Sequence, residues 1–206
     1  MEPAPDRSTS AAKRLAKQVA AGEIELFGES MGLPVELSAP DPAWPARFGQ
    51  LKMMIQRQLG PSAIRVDHVG STSIPGLAAK PVIDIQVSVL DVNDEGSFRP
   101  ALESLGWPMR AREPGHRFFR PAKGKPRTVH VHVCQTGSEW ERVHLLFRDY
   151  LRAHPHRAAA YAAVKSELAE RHQDDGLEYT DAKGPFIEEQ LRCAEEWAAQ
   201  TGWSAG

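Results

Sequence analysis

The chain has 206 residues and a formal net charge of -2, and this near balance of acidic and basic side chains argues against bulk binding of nucleic acid. Its two cysteines, Cys134 and Cys193, are too few for a disulfide framework and favour a reducing compartment. Apolar runs stay shorter than the ~18 residues of a membrane span, and the first residues lack the apolar stretch of a signal peptide. We therefore expect a cytoplasmic protein that does not enter membranes.

An N-terminal extension, residues 1–30, precedes the compact domain, which we predict over residues 31–200. The extension opens with polar and proline residues and is expected to be partly disordered. Residues 11–27 have the apolar spacing of a short amphipathic helix. A short strand is predicted over residues 35–37, at the start of the domain.

The first helix of the domain begins at Asp41 and Pro42, a typical N-cap followed by proline in the first turn. Apolar side chains then recur at helical spacing until Gly60 ends the helix. These side chains are Trp44, Phe48, Leu51, Ile55 and Leu59. An alternating strand over residues 64–69 follows and leads directly into Gly70-Ser71.

Residues 82–90 form the most informative strand. Apolar side chains occupy the odd positions, namely Ile83, Ile85, Val87 and Val89. Polar side chains occupy the even positions Asp84, Gln86 and Ser88. Because side chains alternate across a strand, we predict that one face packs in the core and the other lines a wet cavity.

The second half of the chain changes from mixed structure to helices. A helix ending at Gly106 is followed by strands over residues 116–120 and 128–134. A capping box of Ser138 and Glu141 starts the helical segment. Another helix follows Pro155, and the last one begins at about Asp181. This order predicts an α+β protein with a helical C-terminal segment.

Two features together favour a phosphate and metal site. Glycine after a strand lets a ligand approach the backbone, and the N–H groups of a turn such as Gly70-Ser71 can hold phosphate oxygens, although this dipeptide is more often only a turn. Asp84 lies on the polar face of the next strand, where it is either a metal-binding carboxylate or a solvated strand-edge residue. The turn and the carboxylate in combination favour the metal.

His130 and His132 share one face of their strand, about 7 Å apart by strand geometry. They suit two metal ligands or a base, and two structural histidines beside a polar cleft fit equally well. The His-x-His spacing imitates part of the cupin metal motif. The acidic residue comes late, at Glu139, and long helices follow, so we reject a cupin.

Three further positions are basic. Lys80, just before the Asp84 strand, can reach phosphate oxygens or be an ordinary surface lysine. Arg117 can line the same cleft with His116 and Arg120, if their strand pairs nearby. The Tyr179 to Lys183 segment is interpreted as helix surface and a helix start, without chemistry.

The stretch HVGSTSIPGLAAKPVIDI, residues 68–85, resembles the signature of the GrpB family. The resemblance continues through His130-Val131-His132, residues 147–152 and the Tyr179 region, and it covers about residues 35–200. It implies a nucleotidyltransferase-superfamily fold, with a small mixed sheet packed with helices and a C-terminal helical segment. A similar domain occurs fused to dephospho-CoA kinase in some proteins, where an accessory folding role has been suggested.

The superfamily pattern is a Gly-Ser turn, an Asp-x-Asp or Asp-x-Glu on a strand, and a third carboxylate on a neighbouring strand. Gly70, Ser71 and Asp84 match its first parts, but Gln86 stands at the second carboxylate. The third position falls on the strand that carries the two histidines. One aspartate with histidines suits a single Mn²⁺ or Zn²⁺ better than a two-Mg²⁺ clamp.

The leading hypothesis is a transferase-like protein that binds a nucleotide with a divalent metal, Mg²⁺ or Mn²⁺, and transfers a nucleotidyl group to an unknown acceptor. A non-catalytic ligand-binding or folding-accessory module related to coenzyme A is the main alternative, and a metal-dependent hydrolase is the third. The expected partner is a nucleotide or other phosphorylated small molecule, and a homodimer stays open.

These hypotheses assign the candidate residues of the site. The catalytic candidates are Asp84, His130 and His132. The candidates for nucleotide or phosphate binding are Gly70, Ser71, Thr72, Lys80 and Arg117. The candidates for metal binding are Asp84, Gln86 and His132.

Overall fold

The computed structural model describes residues 10–28 and 34–205. The strands are β1 (Glu25–Leu26), β2 (Arg65–Val69), β3 (Ile83–Val89), β4 (Met109–Glu113), β5 (His116–Phe119) and β6 (Val129–Gln135). The helices are α1 (Ser10–Ala20), α2 (Trp44–Leu59), α3 (Arg99–Ser104), α4 (Glu139–Ala153), α5 (Pro155–Arg171), α6 (Gly176–Ala182) and α7 (Gly184–Thr201). The predicted α+β class, with a mixed sheet and a helical C-terminal segment, is confirmed.

The six strands form one sheet in the order β1-β4-β5-β6-β3-β2. Neighbours are antiparallel except β3 and β6, which run parallel. The parallel register aligns Asp84 with His130 and Gln86 with His132. Since side chains that are in register point to the same face, this pairing brings the polar positions of two distant strands together.

The apolar face of the sheet packs against α2 and α3 in the main core. Its central side chains are completely buried, namely Ile85, Val87, Val131 and Val133. Burial of each such side chain contributes roughly 1.5–3 kcal/mol to folding. The alternation seen in the sequence therefore marks the core face correctly.

The polar face of the sheet is open to solvent at one end only. The prediction that every polar side chain of residues 82–90 lines a wet cavity is therefore wrong for part of the strand. Gln86 and Ser88 are fully buried beneath α4. The Gln86 amide donates to the Glu141 carbonyl at 3.4 Å, and the Ser88 hydroxyl donates to the Glu141 carboxylate. Packing of α4 over this half of the strand closes it to solvent, and Asp84 stays at the open end.

A second hydrophobic cluster holds the C-terminal helices together. It includes Leu146 and Leu151 of α4, Tyr161 of α5 and Ala194 of α7. The capping box is observed in part, because the Ser138 hydroxyl accepts from the Glu141 N–H at 3.2 Å. The helices thus form a third layer that covers the polar face of the sheet.

The N-terminal helix is shorter than predicted, since α1 ends at Ala20 and Leu26 belongs to β1. It docks on α6, where the Glu178 carboxylate accepts from the Ala11 N–H at 2.9 Å and Arg14 pairs with Asp181 at 2.5 Å. Disorder was predicted for residues 1–10; residues 1–9 lie outside the described part of the chain, and Ser10 is the first residue of α1.

Other element predictions need correction. Residues 35–37 do not form a strand, and only an isolated bridge joins Ser38 to Ala79. The strand β4, with the sequence MRARE, was missed because its charged side chains mask the alternation. The last helix, predicted from about Asp181, begins at Gly184 as α7, and the short helix α6 before it was missed. In the described ranges, none of the helices is long and apolar enough to cross a membrane.

Candidate functional site

A cavity of about 460 Å³ lies between the open end of the sheet and the C-terminal helices. Its floor is formed by side chains of β3, β5 and β6, its walls by α5 and α6, and its outer rim by the N-terminal segment. The rim residues are Leu15, Ile24 and Leu26. Ligand pockets commonly fall in the range of roughly 300–1,000 Å³, so the cavity has the size of a small-molecule site.

Asp84, His130 and His132 meet on the cavity floor. Asp84 Oδ1 lies 3.1 Å from His130 Nδ1 and 3.9 Å from His132 Nε2. One ligand atom from each side chain lies within 4.8 Å of the others, which is the geometry of a group that could hold a metal ion. The parallel register of β3 and β6 creates this arrangement.

The Asp84 carboxylate is ionised. Burial acts to raise its pKa, but the hydrogen bonds from His130 and His132 outweigh burial and hold the pKa well below its usual range. An ionised carboxylate only accepts hydrogen bonds, so His130 donates to it from Nδ1. The Nε2 atom of His130 is then the nitrogen with a free lone pair.

Gly70 allows the turn to approach Asp84 closely. Its backbone has φ 67° and ψ -172°, a conformation that is essentially restricted to glycine. A Cβ atom at this position would lie 2.3 Å from Asp84 Oδ2. The glycine therefore has two separate reasons to be there, the backbone angle and the contact with the carboxylate.

Ser71 and Thr72 of the same turn line the cavity. The Thr72 hydroxyl donates to the Val82 carbonyl at 3.2 Å, so it accepts from His68 Nε2, which is 2.9 Å away. Burial lowers the pKa of His68 to about 4, and its neutral ring stacks on Phe48. These contacts hold the turn rigid against β3.

Three lysines reach the cavity from different parts of the chain, namely Lys80, Lys165 and Lys183. Lys80 and Lys183 place their ammonium groups 4.6 Å and 4.5 Å from the centre of the Tyr179 ring. Burial, followed by the charge of Lys80, lowers the pKa of Lys183 to about 8, although Asp84 opposes the shift. The cavity therefore concentrates positive charge opposite Asp84.

Lys165 is the most buried of these lysines, with 2% of its surface exposed. Its ammonium donates to the Ala78 carbonyl and lies 4.9 Å from the centre of the Tyr161 ring. Burial, followed by the charge of Lys183, lowers its pKa to about 7. In the described ranges no carboxylate forms a salt bridge with Lys165, and a lysine buried in this way is costly for the fold, which favours a role in binding an anion.

His116 supports His132 from behind. The two rings are joined by a hydrogen bond of 3.0 Å between His116 Nε2 and His132 Nδ1. Trp140 stacks on His116 with ring centroids 4.4 Å apart. Such a partner fixes the ring orientation of a histidine and leaves His132 Nε2 directed at Asp84.

The GrpB protein family matches residues 34–192, which is most of the chain. The chain belongs to the GrpB family. The match starts after α1 and β1, so the segment that forms the rim of the cavity lies outside the family region.

The relatives agree with this assignment. The chain is 41% identical over 164 residues to a UPF0157 protein of Streptomyces coelicolor, which covers 80% of this chain and 86% of the relative. The crystal structure of the conserved protein GrpB from Enterococcus faecalis has a TM-score of 0.71 and 32% identity, covering 79% of this chain and 99% of that chain. A dephospho-CoA kinase of Mycolicibacterium paratuberculosis is 34% identical over 198 residues, or 82% of this chain and 48% of that protein.

In the structure, most of the predicted site residues lie together around one cavity. Six of them line the cavity, namely Ser71, Thr72, Lys80, Asp84, His130 and His132. Gly70 packs directly on Asp84.

The structure does not bring Gln86 or Arg117 to this group. Gln86 lies under α4, as described above. Arg117 points to the opposite face of β5 from His116, because neighbouring strand residues alternate, and its guanidinium contacts Glu95 at 2.6 Å and the Glu113 carbonyl at 2.7 Å.

Several cavity residues have no signal in the sequence. Tyr179 and Lys183, which we had interpreted as helix surface and a helix start, face the cavity, and so does Lys165, whereas His116 lines the cleft as expected from the sequence. Tyr161 lies next to this group, with its ring centre 4.9 Å from the Lys165 ammonium. The match of the Tyr179/Lys183 region to the GrpB pattern was the one hint in the sequence.

The donor set fits one divalent ion better than two. Asp84 is the single carboxylate of the group, and its partners are imidazoles. Glu113 lines the same cavity but lies beside His116, with 3.6 Å between its Oε2 and His116 Nδ1. One carboxylate with imidazole nitrogens suits Mn²⁺ or Zn²⁺, whereas a pair of Mg²⁺ ions requires more charged oxygens.

Replacing Lys165 with methionine is expected to stabilise the free protein below pH 7. The folded pKa is about 7, below the ordinary value, so the penalty for the buried charge is full at low pH. This penalty fades as pH rises from about 7 to 10, because in that range the unfolded chain holds more protons than the folded chain. We expect the melting temperature to rise by about 2–4 °C at pH 6 and little at pH 9, measured by calorimetry.

The exposed Lys17→Met is the matched control, with no change at either pH. A decrease in the melting temperature of Lys165→Met at both pH values would show that packing and the bond to Ala78 dominate.

Proposed function

We propose that the protein binds a nucleoside triphosphate, or a closely related phosphorylated small molecule, with one divalent ion. Nucleotidyl transfer to an acceptor is the activity that the site supports best. The single observation behind this proposal is an ionised Asp84, held between two histidines, that faces buried lysines across one cavity. A carboxylate for a metal and lysines for phosphates are complementary parts of a triphosphate site.

Binding would use the two sides of the cavity differently. Lys165 and Lys183 would neutralise the terminal phosphates, since one is a buried and the other a half-buried cation on the side of the cavity formed by the helices. Asp84 and His132 would hold the ion, and Ser71 would contact a phosphate from the rigid turn. A bound divalent ion would offset the charge of the triphosphate.

The transfer step would be an in-line displacement. The acceptor oxygen forms a bond to the α-phosphorus, the bond to the bridging oxygen breaks, and pyrophosphate leaves with the electron pair. The acceptor proton passes to His130 Nε2, because Nδ1 is engaged with Asp84. Lys165 and Lys183 neutralise the charge that accumulates on the leaving pyrophosphate.

A binding module without catalysis is the second candidate. The observation in its favour is Gln86, a fully buried amide at the position where the superfamily pattern has a second carboxylate. Such a protein would bind the same ligand with the same metal and lysines but would not release pyrophosphate. The half-length match to a dephospho-CoA kinase is compatible with a module that serves another enzyme.

Thermal denaturation of the whole chain with the four nucleoside triphosphates, each with Mg²⁺, Mn²⁺ or Zn²⁺, tests the proposal. At about 100 times the dissociation constant, a ligand should raise the melting temperature by roughly 5–10 °C. Mn²⁺ or Zn²⁺ should support the shift better than Mg²⁺. The nucleoside without phosphates is the control and should give no shift.

Pyrophosphate release, followed with a panel of hydroxyl and phosphate acceptors, then separates the two candidates. Release would support the transferase, and metal-dependent binding without release would support the module. An unchanged melting temperature with every triphosphate and metal would contradict both.

A further inference from the structure

A second cavity of about 260 Å³ opens beside the first. The two share a wall made of Lys80, Val82, Phe118, His130, Leu177 and Thr180. His130 therefore faces both cavities, with Asp84 bonded to its Nδ1 on one side. An occupant of the side cavity would lie next to the reacting group of the proposed site.

The side cavity is lined by three cations, Lys80, Arg120 and Arg127. Arg120 directly follows β5 and is 5% exposed, and Arg127 stands just before β6, so the β5–β6 connection presents both to the same space. Glu36 is the acidic residue of the lining, and it is exposed at the rim. Among the described residues of the lining, cationic side chains therefore outnumber acidic ones.

These cations repel one another. Burial, followed by the charges of Arg127 and Arg110, lowers the pKa of Arg120 to about 10. Burial also lowers the pKa of Lys80, and the charge of Arg127 adds to it while Asp84 opposes it. Cations gathered in a half-buried space are stabilised when an anion occupies it, and guanidinium groups suit phosphate and carboxylate in particular.

We infer that the side cavity is a second anion site, which holds the phosphate or carboxylate of the acceptor. The inference rests on the proposed function, because it names the acceptor as an anionic molecule that carries a hydroxyl. Its anion would contact Arg120 and Arg127, and its hydroxyl would point across the shared wall at His130. The donor triphosphate would occupy the larger cavity at the same time.

The basic side chains are distributed between the two cavities in a way that favours two separate ligands over one long ligand. Lys165 and Lys183 line the larger cavity alone, Arg120 and Arg127 line the side cavity alone, and Lys80 lines both. Phe118 and His130 stand between the two groups and form a T-shaped ring pair with centroids 5.1 Å apart. The two cationic spaces therefore adjoin at His130, with room for a donor in one and an acceptor in the other.

Calorimetric titration of the whole chain with inorganic phosphate tests the inference, with and without a saturating non-hydrolysable triphosphate and Mn²⁺. We expect phosphate to bind in both cases with affinities that agree within about three-fold. Arg127→Gln should weaken phosphate binding by at least about ten-fold, because a charge-assisted contact is lost, while Arg127→Lys recovers part of it. Triphosphate binding should change little in either variant.

Lys125→Gln is the matched control, because it removes one exposed charge from the same connection and should leave phosphate binding unchanged. Displacement of phosphate by the triphosphate, or equal phosphate affinity in Arg127→Gln and wild type, would overturn the inference. If no triphosphate binds while phosphate still depends on Arg127, the proposed function fails and the anion site itself stands.

Discussion

Replacing Asp84 with asparagine is expected to abolish metal-dependent binding of the triphosphate, with a loss of at least about 100-fold in affinity. Asparagine has nearly the same shape and retains an oxygen that can accept from His130, so the packing of the floor survives. It removes the negative charge that the divalent ion needs. Because the lysines remain, metal-independent binding of the phosphates should be tighter than in the wild type.

Calorimetry with Mn²⁺ alone, and then with the triphosphate, separates these effects. Glu189→Gln removes the same charge from an exposed position of α7, away from both cavities, and serves as the control, with both affinities unchanged. Wild-type Mn²⁺ affinity in Asp84→Asn would contradict the assignment of Asp84 as a metal ligand. Equal melting temperatures in buffer would confirm that the variant is folded.

Replacing Gly70 with alanine is expected to damage both stability and binding. The backbone conformation at Gly70 disfavours any side chain by about 1–2 kcal/mol. The added Cβ would also lie 2.3 Å from Asp84 Oδ2 and 2.9 Å from Asp84 Cβ, so the turn and β3 must separate. We expect a decrease of roughly 5–10 °C in the melting temperature and the loss of metal-dependent binding.

Gly76→Ala is the matched control. Gly76 has a similar positive φ of 75°, but a Cβ there would meet nothing within 4 Å. It should therefore show the backbone penalty alone, as a decrease of about 2–6 °C with normal binding. If the two variants bind the triphosphate equally well, the contact between Gly70 and Asp84 is not important for the site.

Part of the site could be predicted because it depends on local patterns. Alternation along β3 and β6 identifies the faces of Asp84, His130 and His132 without knowledge of the fold. The turn residue Gly70 could be recognised because glycine after a strand is a local signal. The GrpB signature added the expectation that the turn and Asp84 belong to one site.

Gln86 and Arg117 show the limit of such patterns. Alternation placed Gln86 on the polar face correctly, but the extent of the cavity along that face depends on where α4 lies. Arg117 is next to His116 in the chain and on the opposite side of the sheet, so proximity in sequence was misleading.

The sequence by itself determined the core strands, the turn and the polar residues of the floor, because these follow from side-chain alternation and backbone preferences within a few residues. Only the tertiary structure decided which polar residues are wet and which cations join them. Lys165 on α5 and Lys183 between α6 and α7 lie about 80–100 positions beyond Asp84, and Arg120 and Arg127 enter through the pairing of β5 with β6. Contacts between distant segments depend on how complete helices pack, which no local pattern records.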